Sequence, residues 1–93
     1  MIHTVVLTPK VKKHLGKVPK HIAQKLLFWV MDVEENGLEN TRKLPGWHDE
    51  PLKGKRKGQR SIRLSKAWRA IYSVEKNGEV RFVEVIEVNK HEY

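Results

Sequence analysis

The sequence contains no cysteine. That absence excludes disulfides, a thiol nucleophile and cysteine-ligated zinc together. It also lacks any apolar run near the roughly 18 residues a membrane-spanning helix needs. The opening stretch MIHTVVLTPK has neither a basic leading segment nor a long apolar one, so no secretory signal is expected. The chain is therefore expected to be soluble and cytoplasmic, with no membrane partner. There is no Walker sequence, no zinc-finger spacing and no GxSxG elbow, and GKRKG (54–58) has one residue too many between its glycines for a GXXG clamp. The five histidines, at 3, 14, 21, 48 and 91, form no metal motif. No metal or other cofactor is expected.

A further absence is local. From Lys53 to Arg69 there is no Asp or Glu, while eight Lys or Arg occur. The chain carries 19 basic and 11 acidic residues, a formal charge of +8, so the rest of the sequence is balanced and the excess sits in this one segment. Like charges packed this closely repel, and a focused basic patch calls for a polyanionic partner. Nucleic acid, an acidic protein and an anionic membrane surface all fit that description.

With 93 residues the chain is expected to form a single domain, residues 1–93, around one small core. HTVVLT (3–8), a β-branched run closed by Pro9, predicts a first strand. KVKKHLGKV predicts a short basic helix broken near Gly16. From Pro19, Ile22, Leu26, Trp29, Val30 and Val33 recur at helical spacing, with Gly37 as the stop. Residues 38–51, rich in proline, glycine and mixed charge, read as an ordered loop or edge segment. Then RSIRLS (60–65), WRAIYSV (68–74) and VRFVEVIEV (80–88) read as strands, the last two joined at Asn77-Gly78, a strong hairpin signal. The order predicts an α+β domain, with the N-terminal strand and helices packed on an antiparallel sheet of about four strands.

Alternation in RSIRLS puts Ile62 and Leu64 on one face and Ser61, Arg63 and Ser65 on the other. Arg69, Ile71 and Ser73 alternate likewise with Trp68, Ala70, Tyr72 and Val74. Arg63 and Arg69 thus share a sheet face if their strands pair in that register. Two guanidiniums on a rigid sheet make a better phosphate clamp than the same charges on a loop. GKRKG reads instead as a turn offering mobile lysines. Lys53, Lys55, Arg56, Lys57, Arg60 and Lys66 are the candidate RNA-backbone contacts, giving affinity and salt dependence without sequence reading. Trp47 and Trp68 are amphipathic enough to stack on bases, with core packing the better expectation for Trp68, and Trp29 is expected in the core.

EPLKG (50–54), GQRSIRL (58–64), WRAIY (68–72) and the terminal NKHEY (89–93), behind a strand and a helical segment, resemble the RelE/ParE superfamily of toxins from bacterial type II toxin–antitoxin modules. The likeness runs over nearly the whole chain and is nearest to the RelE, YoeB and HigB type of ribosome-dependent mRNA interferase. It implies a small microbial-ribonuclease-like α+β fold, cleavage of mRNA in the ribosomal A site, and silencing by a cognate antitoxin that also carries the complex to operator DNA. Residue by residue, it implies Glu50 as base, Arg63 and Arg69 as catalytic arginines, and His91 and Tyr93 as the terminal pair, here separated by Glu92. His48 is an alternate base. RelE has a lysine where this chain has Ser61, so a lysine-dependent version of the chemistry is not expected.

The same chemistry is what metal-free RNA cleavage needs: a base for the 2′-hydroxyl, cations for the phosphorane, and an acid for the 5′-oxygen. Two rivals share the basic strand. One is a ParE-like inhibitor that binds DNA gyrase, and the other is a non-catalytic RNA-binding domain; neither needs an acid/base set.

Overall fold

The first strand, β1 (Thr4–Leu7), runs into Thr8, whose extended backbone (ψ 157°) suits a residue before proline. Thr8 caps α1 (Pro9–Leu15), accepting a hydrogen bond from the Val11 N–H at 3.3 Å, and Pro9 occupies the first turn. A turn through Gly16 and Val18 leads to α2 (Lys20–Asn36). This computed structural model describes residues 1–88.

Helix α2 is the element the periodicity predicts. Ile22, Leu26, Trp29 and Val33 are fully buried, and Val30 is half-buried beside them. Gly37 ends it with φ 87°, a conformation open to glycine, and donates its N–H to the Val33 carbonyl at 2.8 Å. The next N–H, of Leu38, bonds the Ile2 carbonyl at 2.8 Å and so fastens the helix end beside β1.

Within residues 38–51 the chain forms a five-residue helix, α3 (Leu38–Arg42), a 3₁₀ turn at Pro45–Trp47, and a two-residue edge strand, β2 (Glu50–Pro51). A second 3₁₀ turn, Gly54–Arg56, precedes β3 (Gln59–Arg63), β4 (Trp68–Val74) and β5 (Glu79–Glu87). The β4–β5 hairpin turns at Asn77-Gly78, where Gly78 has φ 84°.

The sheet order is β1-β5-β4-β3-β2. The expected meander is present, and the sheet is larger than expected: β2 adds one edge, and β1 pairs parallel to β5 at the other. The result is a five-stranded mixed sheet. Helix α2 covers one face, where Trp29 meets Tyr72 and Phe82 at centroid separations of 5.2 and 5.1 Å. Beside them Ile62, Ala70, Val80 and Val85 complete the core.

The phase of β5 changes once. Tyr72 pairs with Phe82, but Ile71 pairs with Glu84, so Val83 is an extra residue in the ladder. This bulge keeps Phe82 and Val85 on the helix side while Glu84 and Ile86 turn to the opposite face, with Ile71 and Arg69 as their partners. That opposite face carries the candidate site.

Candidate functional site

Arg63 and Arg69 stand directly opposite each other on β3 and β4, in the register the alternation requires. Glu50 pairs with Ser61 on the next strand, and cross-strand partners share a face. Glu50, Ser61, Arg69 and Ile71 line a cleft of about 390 Å³ together with Leu52, Arg56, Ile86 and Val88. The lining combines four apolar side chains with one carboxylate, two guanidiniums and the Ser61 hydroxyl.

The chain entering β2 sets which side chains reach that face. His48 has φ 46° and ψ 51°, the left-handed conformation rarely taken outside glycine. Asp49 then turns inward, its side chain fully buried, and Glu50 turns outward. The Asp49 carboxylate accepts from Arg60 Nε at 2.5 Å and from the Tyr72 hydroxyl at 2.6 Å. Arg60 Nη2 also bonds the Asp49 carbonyl at 3.3 Å. Burial pushes the Tyr72 hydroxyl pKa well up, and the neighbouring Asp49 charge adds to it. For Arg60 burial acts to lower the pKa, but the hydrogen bond and charge of Asp49 outweigh it and the value is raised.

His48 Nε2 lies 3.5 Å from Arg63 Nη1, so the imidazole sits beside the first arginine. Arg63 Nε is buried with no hydrogen-bond partner among the described residues. Arg69 is held by its own loop, Nη1 donating to the Ser65 carbonyl at 3.0 Å and the Trp68 carbonyl at 3.4 Å. These contacts fix a guanidinium at the cleft without an acidic partner among the described residues.

Two of the expected RNA-backbone contacts are differently employed. Arg60 points to the helix side of the sheet and is committed to Asp49, away from the cleft. Arg56 donates to Glu84 Oε2 at 2.9 Å and Gln59 Oε1 at 3.1 Å. Glu84 also receives Lys10 Nζ at 3.1 Å. Burial would raise the Glu84 pKa, but hydrogen bonds from Arg56 and Lys10 lower it overall. The basic segment is therefore partly neutralised by acids from outside it. Lys53, Lys55, Lys57 and Lys66 are exposed as expected.

Trp29 is core, Trp68 packs against the core edge with His14 at 6.4 Å, and Trp47 lies under the Lys25 ammonium at 4.9 Å. His91 and Tyr93 lie outside the described residues. No group of three His, Asp or Glu side chains among the described residues is arranged to hold a metal ion. No described helix is long and apolar enough to cross a membrane.

A family model for the ParE toxin of the type II toxin–antitoxin system parDE matches residues 5–92. The chain belongs to this toxin family. No curated protein matches it by sequence. Among solved structures, the toxin's fold is similar to that of a chain in the RelBE2 toxin–antitoxin complex from Mycobacterium tuberculosis, with a TM-score of 0.68 at 20% identity over 94% of this chain and 99% of that one. YafQ from Escherichia coli gives 0.71 at 20% identity over 89% and 90%. The archaeal RelE–RelB complex from Pyrococcus horikoshii gives 0.71 at 22% identity over 97% and 99%. The toxin thus has the RelE-like fold that its sequence motifs imply.

Asp49, Tyr72 and Glu84 are not among the sequence candidates, although they hold residues around the candidate site. Asp49 had no distinguishing signal, because its partners are 11 and 23 residues away. Glu84 did have one: in VRFVEVIEV an acid interrupts a strand whose other helix-side positions are apolar, which is what a bulge resolves.

Proposed function

We propose that this toxin is a ribosome-dependent mRNA endoribonuclease that cuts mRNA in the ribosomal A site and so stops translation. The supporting observation is that one sheet face carries Arg63 opposite Arg69, with Glu50 lining the same cleft as Arg69 and His48 beside Arg63. Glu50 takes the proton of a ribose 2′-hydroxyl, and the 2′-oxygen bonds the adjacent phosphorus. Arg63 and Arg69 carry the charge that accumulates on the phosphorane oxygens. The bond to the 5′-oxygen breaks, and an acid supplies that oxygen's proton, leaving a 2′,3′-cyclic phosphate and a 5′-hydroxyl.

His91 is assigned as that acid and Tyr93 as the group that stacks on or orients the nucleotide; Val88, which lines the cleft, precedes His91 by three positions. His48 is the alternate base. The exposed Lys53, Lys55, Lys57 and Lys66 attract the nucleic-acid backbone. Lys-dependent acid/base chemistry has no lysine at the Ser61 position to use. The protein partner is a cognate antitoxin whose acidic or amphipathic segment covers the basic cleft, operator DNA being reached through that complex. Two of the similar structures are complexes, the RelBE2 toxin–antitoxin complex and the archaeal RelE–RelB complex.

Cleavage of a defined mRNA on programmed ribosomes, mapped by primer extension beside a free-mRNA control, tests the assignment. Cuts at the A-site codon are expected only with ribosomes, and Arg69→Ala should lose about 100-fold or more in rate while remaining folded. Equal turnover by that variant removes Arg69 from the site. The family description favours a second reading, inhibition of DNA gyrase by binding. An absence of cuts together with loss of supercoiling activity would select it.

A further inference from the structure

The outward face of α2 carries Leu27, Phe28 and Met31, exposed to 47, 59 and 54%. At helical spacing these three lie on adjacent turns directly opposite the buried Ile22, Leu26, Trp29 and Val33. Scattered exposed apolar residues are ordinary, but a contiguous strip on one helix face marks a docking surface. The charges at its ends say what docks there. Lys20 lies seven positions before Leu27, and Glu35 lies seven positions after Phe28. Other charges on the flanks of α2 are used within the chain, Lys25 by Trp47 and Asp32 by Asn36. Lys20, Glu34 and Glu35 are exposed and form no ion pair among the described residues.

This order of charge also opposes the helix's own dipole. The first turn of α2 holds no acid and the last turn no base, whereas the favourable arrangement is the reverse. A second copy of α2 laid antiparallel across the first removes the conflict. Each amino-terminal Lys20 then faces the partner's glutamate-bearing end, with Leu27, Phe28 and Met31 packed at the two-fold axis. We infer that the outward face of α2 is a self-complementary interface through which two copies of this toxin pair about a two-fold axis. This goes beyond the proposed nuclease reaction and does not depend on it. A face of one helix about 25 Å long offers less than the roughly 800 Å² per partner of a standard stable interface, so the dimer is weak, in the micromolar range or above. Because α2 covers the helix side of the sheet, both clefts remain open on the outside of the pair.

Sedimentation equilibrium of the full chain from about 1 µM to about 1 mM spans the expected affinity. A reversible dimer is expected, with Phe28→Glu weakening it roughly tenfold or more. Lys20→Glu alone and Glu35→Lys alone should each weaken it, and the double exchange should restore it, since the pairing is regenerated across the axis. Circular dichroism of each variant checks that α2 is intact. A monomer throughout, a dimer insensitive to Phe28→Glu, or a double exchange that fails to restore association would each overturn the inference. So would a toxin that is monomeric alone but loses its cognate antitoxin on Phe28→Glu, because the face then belongs to the antitoxin.

Discussion

His48, Asp49 and Glu50 send their side chains out, in and out, and the middle one anchors the other two. The Asp49 carboxylate is fully buried and held by Arg60 and Tyr72, from β3 and β4, the strands that also carry Arg63 and Arg69. This clamp therefore holds the segment of His48 and Glu50 against the strands that carry Arg63 and Arg69. Tyr72→Phe removes one donor and leaves a buried acceptor short, which should cost about 1–3 kcal/mol of unfolding free energy near neutral pH. The raised hydroxyl pKa sets how that cost varies. A group whose folded pKa lies above its ordinary 10.0 stabilises the fold fully below pH 10 and loses that contribution as pH rises beyond it. Denaturant unfolding should thus show wild type and Tyr72→Phe converging above pH 10. A constant gap across that range would mean that the hydroxyl proton is not what holds Asp49. Little of this was legible in the sequence, since Asp49 and Tyr72 meet only after the sheet has formed. Arg63 and Arg69 were legible, because period-two alternation assigns a residue's face before its neighbours are known.

Among elements, legibility followed length and locality. The 17-residue α2 repeats its apolar signal over several turns, and β4 was read to its exact ends from alternation alone. The five-residue α3 and two-residue β2 are too short for any period to register, and both depend on tertiary contacts for their form. The parallel pairing of β1 with β5 joins residues about 75 positions apart, beyond what local patterning encodes. Gly37 was legible as a helix stop, and its geometry makes the reading testable. At φ 87° and ψ 153° only glycine is comfortable, so Gly37→Ala should cost about 1–3 kcal/mol. The added methyl would also meet Met1 Sδ at 2.5 Å and Cγ at 2.8 Å, but Met1 is 79% exposed and can swing aside. Backbone strain therefore remains the cause, and a Met1→Ala background should not rescue the variant. Gly46→Ala, with open space around the new methyl and no positive φ, is the matching control and should be close to neutral. Thermal melts of the three proteins decide between strain and collision.

At the scale of the whole molecule, the segment from Lys53 to Arg69 is less uncompensated than its eight cations suggest. Folding brings Asp49 to Arg60 and Glu84 to Arg56, acids that lie outside the segment in sequence. Counting charge along the chain located the patch correctly and overstated its free charge, because ion pairing is a property of the fold. The distinction predicts two different phenotypes within one basic stretch. Lys53, Lys55 and Lys57 are exposed, so neutralising all three should weaken binding of a short single-stranded RNA and lower the salt slope of log K by roughly 2, at about 0.7 per phosphate contact. Arg60→Gln should leave that slope unchanged. It should instead destabilise the fold by about 3–5 kcal/mol, because the buried Asp49 carboxylate loses its counter-ion. Binding measured by fluorescence anisotropy across a salt series, paired with denaturant unfolding, separates the two effects. A slope that falls for Arg60→Gln as it does for the triple lysine variant would mean that this guanidinium leaves Asp49 to meet the nucleic acid, and that the patch rearranges when its partner arrives.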